Sequence, residues 1–162
     1  FLERDPSRSR GIKILGVDLS AQTVSVPCYH ELPKDGGGLR TEQAEMHLTM
    51  DRRLAGAKGA FFVRAKADQF ESADITEGDY LLIEPATVEE LAEQAIVVAR
   101  IGDMLSFYEF SRNGRGVQLT PVGAGAEATV VGNPDGVDII GRLVALYRRL
   151  DDASILVSTT AH

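Results

Sequence analysis

Cysteine is nearly absent from this chain, and so are long apolar runs. The single thiol, Cys28, leaves no internal disulfide framework and suits a reducing compartment. A buried structural thiol is the expected role of such a residue. No stretch of about 18 or more apolar residues occurs, nor the layout of an export signal, so neither a membrane span nor secretion is indicated. A cytoplasmic location is expected. His30, His47 and His162 have no metal-ligand spacing with Cys28, so no metal site is expected, and no cofactor. Cations are also in deficit: 17 Lys and Arg stand against 24 Asp and Glu, a net charge of -7. Nucleic-acid binding relies on clustered cations that neutralise phosphates, so the body of the domain is not expected to bind DNA.

What the chain does have is a series of short apolar runs cut by turns. Phe61–Arg64 and Tyr80–Ile83 are aromatic or β-branched, with the Gly78-Asp79 turn between them and a Glu84-Pro85 break after the second. Ile96–Ile101 and Leu105–Phe110 flank Gly102-Asp103, a hairpin signal. A glycine-containing turn from Arg112 to Gly116 leads into Val117–Leu119, and a Gly-rich loop follows from Val122 to Ala128. Val137–Ile140 and Leu143–Tyr147 are the last apolar runs. Strand signals at spacings of roughly ten residues predict an all-β fold, a small sandwich or a partly open barrel. Thr87–Gln94 has helix-forming composition but is too short to stand alone, so a turn or single helical turn is expected there. With 162 residues, 44% of them hydrophobic, the chain suits one domain burying roughly 70% of its unfolded surface.

The basic stretch is Phe1–Lys13, which carries Arg4, Arg8, Arg10 and Lys13 around Pro6-Ser7. On composition alone it is a charged, solvated arm. From Ile14 to Val26 apolar and polar residues alternate, as in a linker passing into a first strand. Pro33–Gly38 is polar and glycine-rich, the composition of an exposed flexible loop. Burying the charges of Lys34 and Asp35 unpaired would be costly, so this loop is expected to stay in water.

Two segments, FFVRAKADQFESADITEGD from Phe61 to Asp79 and AIVVARIGDMLSFYEF from Ala95 to Phe110, resemble the core of the LexA-type self-cleaving repressor domain. Glu77-Gly78-Asp79 matches that family's acidic-Gly-Asp turn, and Val97–Ile101 keeps its Val-Val-Ala-Arg-Ile. Where the family has Gly-Met-Ser-Met, this chain reads Ala67-Asp68-Gln69-Phe70, so Gln69 stands at the nucleophile position. The position of the general-base Lys is held by Tyr108. Val26-Pro27 resembles the start of the family's cleavage-loop region. Counted from there, the scissile Ala-Gly falls at Lys34-Asp35, or with a one-residue shift at Asp35-Gly36. Phe1–Lys13 resembles the wing and exit linker of the family's winged helix-turn-helix, and Arg148-Arg149-Leu150 its usual end.

The resemblance implies residues 1–25 as wing remnant and linker, 26–150 as a dimerisation domain, and 151–162 as an extension that is either an extra strand or a disordered tail. It implies a homodimer through Arg142, Leu143, Val144, Ala145, Leu146 and Tyr147, on a terminal strand expected at a sheet edge. It also implies operator DNA as partner, read by a winged helix-turn-helix ahead of Phe1 with Arg4, Arg8 and Arg10 at its margin. In an active member, a RecA filament formed after DNA damage triggers cleavage. Here the chemistry argues otherwise. A carboxamide is no nucleophile, and a phenol of reference pKa about 10 does not replace a neutral amine as proton acceptor. The expectation is a dimerisation and regulatory domain of a LexA-like transcriptional repressor that does not cut itself. The competing expectation is an active self-cleaving peptidase of the SOS response with a relocated dyad, for which Ser72 and Lys66 are the nearest candidates.

Overall fold

The computed structural model describes residues 22–33, 39–67, 70, 74–114, 116–123, 130–132 and 137–150. Among these, nine strands form one sheet in the order β2-β1-β3-β4-β9-β5-β6-β7-β8. They are β1 (Thr23–Tyr29), β2 (Met46–Asp51), β3 (Phe61–Arg64), β4 (Tyr80–Glu84), β5 (Ile96–Ile101), β6 (Met104–Asn113), β7 (Gly116–Pro121), β8 (Val130–Gly132) and β9 (Asp138–Tyr147). All neighbours are antiparallel except β1 and β3. The all-β expectation holds. The sheet takes up the chain at Thr23, and its outer members are β2 and β8, so it stays open.

Local chemistry accounts for the connections. Ile101 pairs with Met104 across Gly102-Asp103, and Gly102 at φ 63 supplies the positive φ that a two-residue hairpin with Gly first requires. Thr87–Gln94 forms a single 3-10 turn, Val88–Glu90, closed by a capping box between Thr87 and Glu90. In β2, Met46, Leu48 and Met50 alternate with His47, Thr49 and Asp51, and the methionines and Leu48 pack inward.

Alternation sorts the core into three clusters. Tyr29, Phe61, Val63, Leu81 and Ile83 join Val98, Leu105 and Phe107 in a central cluster shared by both halves of the curled sheet. On the reverse face of the first half, Val26, Cys28, Phe62 and Leu82 pack under Ala55 and Ala60. On the reverse face of the second, Val97, Ala99, Tyr108, Phe110, Val117 and Leu119 pack with Leu91. A one-residue slip would exchange these faces, so burial pins the register.

The terminal strand is not at the edge. β9 lies between β4 and β5, because it changes partners along its length: Asp138–Arg142 pairs with β5, and Arg142–Tyr147 pairs with β4. Gly141, buried at the crossover, permits this, since a Cβ there would meet Glu84 O at 2.6 Å. Residues 143–147 consequently have a strand partner on one side only, among the described residues.

Candidate functional site

The two motif segments meet in the fold. Phe70, next to Gln69, is buried with its ring 4.9 Å from that of Phe107, next to Tyr108, in an edge-to-face contact. Gln69 itself lies outside the described residues, as do Ser72, Lys34, Asp35, Arg4, Arg8, Arg10 and residues 151–162.

Tyr108 is placed by the alternation of β6, where Leu105 and Phe107 turn to the central cluster and Tyr108 and Phe110 to the opposite face. It pairs with Val97 on one side and Pro121 on the other, and is 9% exposed. Burial pushes its phenol above the ordinary value. At neutral pH this group is an uncharged donor. Lys66, the nearby amine considered for a relocated dyad, makes an ion pair with Glu31.

The acidic-Gly-Asp turn is a structural clamp. Gly78 takes φ 91 and donates to Ala65 O at 2.9 Å, while Asp79 O accepts from Ala65 N–H at 2.8 Å. The Asp79 carboxylate is 1% exposed. It accepts from Arg148 Nε at 2.8 Å, from Arg148 Nη2 at 2.7 Å, and from Thr76 N–H at 2.9 Å. The hydrogen-bonded Arg148 guanidinium holds this carboxyl below the usual range, and Asp79 in turn raises Arg148. Reading the sequence for chemistry missed this pair. Its only signal was a family-type Asp and a family-type Arg, with nothing to join them.

The end of β9 divides between anchor and surface. Arg142 donates to Glu90 O at 3.1 Å and to Glu84 Oε1 at 3.4 Å, and Leu143 packs on the central cluster. These two tie the strand down. Val144, Leu146 and Tyr147 are 40%, 41% and 55% exposed, and Leu150 follows at 71%. Ala145 is exposed as well. Val144, Ala145, Leu146 and Tyr147, at a half-open strand edge, form a surface suited to pairing with another strand. Among the described residues, no group of His, Cys, Asp and Glu could hold a metal ion, and no helix is long and apolar enough to cross a membrane.

An open all-β sheet that brings its two motif segments together at Phe70 and Phe107 defines the class of protein: the Peptidase S24-like family matches residues 29–144, and this chain belongs to it. Within the family the domain is of the LexA type. The chain is 34% identical over 154 residues to LexA repressor 2 of Geobacter sulfurreducens, covering 93% of this chain and 73% of that one. It is 32% identical over 152 residues to the LexA repressor of Moorella thermoacetica (91% and 72%), and 30% identical to that of Geotalea uraniireducens (93% and 73%).

Proposed function

We propose that this chain is the dimerisation and regulatory part of a LexA-like transcriptional repressor that does not cleave itself. The observation that carries the reading is Tyr108. At the position where the family needs a lysine, the chain has a phenol packed among Val97, Ala99, Phe110 and Leu119, protonated at neutral pH. With Gln69 at the nucleophile position, hydroxyl and amine are both lacking. Loss of one member of such a unit typically removes about as much rate as loss of the whole. The Lys66–Glu31 ion pair gives no support to a relocated dyad.

In this reading β9 holds two copies together, its exposed half-edge pairing with the same edge of a second copy about a two-fold axis. Two winged helix-turn-helix heads, outside these 162 residues, then read operator half-sites at a set spacing. Relief of repression takes a route other than RecA-stimulated self-cleavage.

Two measurements test this. Incubation at alkaline pH followed by mass spectrometry returns the intact chain; defined fragments would refute the loss of chemistry. Light scattering at micromolar concentration returns a dimer, and Leu146→Asp, placed on the exposed edge, returns a monomer that remains folded. An unaltered mass for that variant would refute the interface.

A further inference from the structure

A groove of about 870 Å³ opens at one end of the central cluster, where Ser25 and Tyr29 of β1 and the turn from Ala55 to Phe61 face Arg100, Leu105 and Ile140. Its volume lies within the range of roughly 300–1,000 Å³ usual for small-molecule sites. Neither Tyr108 nor any residue of 142–147 lines it, so it is separate from the degenerate cleft and from the exposed half of β9.

Its chemistry is unlike that of the rest of the molecule. The chain carries a net charge of -7, yet the described lining includes Arg52, Lys58 and Arg100 and no Asp or Glu. Tyr29, Phe61, Leu105 and Ile140 supply an apolar floor. Arg100 is incompletely satisfied. Asp138 Oδ2 lies 3.7 Å from its Nη1, an ion pair on its outer side without a hydrogen bond, and its buried Nε finds no acceptor among the described residues. A planar guanidinium with unused donors beside an apolar wall matches a carboxylate or sulfonate borne on a hydrocarbon or aromatic body.

We propose that this groove binds a small organic anion with an apolar body. The site does not depend on whether the chain cuts itself, and its test reads binding rather than cleavage or dimerisation. Isothermal titration of the 162-residue chain with decanoate and with 1-naphthalenesulfonate, each against a neutral analogue of the same body (1-decanol, 1-naphthalenemethanol), addresses it directly. The expected result is one site per chain, with each anion at least about tenfold tighter than its neutral analogue. Arg100→Gln and Arg52→Gln should each weaken the anion by about tenfold or more and leave the neutral analogue unchanged. Arg52 is exposed, so its variant folds even where that of Arg100 does not. Ser25→Trp, at an exposed position on the groove, should block both ligands. Equal affinity for anion and neutral analogue, indifference to Arg52→Gln, or no binding by either anion would overturn the proposal.

Discussion

Gly141→Ala puts the crossover of β9 to a quantitative test. A Cβ built at this glycine would lie 2.6 Å from Glu84 O, 2.8 Å from Ile83 Cγ2 and 3.1 Å from Glu84 C. Two of these three atoms are backbone of β4, which is held on both sides by β3 and β9 and cannot rotate aside as a side-chain tip would. Either β4 or β9 must move. Forcing a methyl into a packed core costs roughly 1–3 kcal/mol. Replacing Gly by Ala returns about 0.4–1 kcal/mol by narrowing the unfolded ensemble. Taking both ranges at their centres, the net expectation is a loss of about 1.3 kcal/mol, or roughly 3–5 °C in Tm for a chain of this size. Urea unfolding followed by far-UV circular dichroism, at one fixed protein concentration, should show a lower midpoint at unchanged slope. Gly114→Ala is the control, since nothing lies within 4 Å of its Cβ; it should be neutral or slightly stabilising. A Gly141→Ala variant as stable as the parent would refute the claim that close backbone approach dictates this residue.

Asp79 makes stability sensitive to acid. Its folded pKa is depressed, so its contribution is fully present above the ordinary carboxyl value of 3.8 and is lost as pH falls through the folded value. Asp79→Asn should lower stability at neutral pH by roughly 1.5–3 kcal/mol, the worth of a charge-assisted hydrogen bond, and flatten the acid limb of the urea-midpoint profile. An unchanged acid limb would count against the clamp. Cys28 is buried and its thiol is pushed up to about 11, chiefly by burial, so iodoacetamide should leave it unmodified in the native protein at mildly alkaline pH and alkylate it in urea. Rapid native labelling would show that the first strands open easily. Gln69→Ser with Tyr108→Lys should not by itself restore efficient self-cleavage, since the charge of Lys34 and Asp35 disfavours docking of the substrate loop, and an undocked loop forfeits a proximity term of roughly 7–11 kcal/mol. Adding Lys34→Ala and Asp35→Gly should be needed before fragments appear at high pH, and rapid cutting by the double variant would sink that reasoning.

Reading residues in order was sufficient for whatever depends on neighbours in the chain. Apolar runs became strands, Gly102-Asp103 became a hairpin because positive φ is a local demand, and Thr87 with Glu90 closed a single turn. The identities of Gln69 and Tyr108 argue against hydrolysis before any coordinates, because nucleophilicity and basicity belong to the functional group. Pairing between distant segments was not legible. Val137–Ile140 and Leu143–Tyr147 read as two runs, whereas they form one strand through Gly141, whose missing side chain serves a close approach rather than a turn. A free-edge position expected for that strand proved to be a central one with half an edge exposed, since β4 and β5 each cover only part of its length. Asp79 found its counter-charge 69 residues away, and Arg100 came to line a groove with Arg52 and Lys58. Composition and local turn chemistry therefore determined which residues form strands. Only the tertiary structure decided which charges are paired, which apolar surface is left uncovered, and where the sheet leaves room for a ligand, because those depend on contacts between segments far apart in the chain.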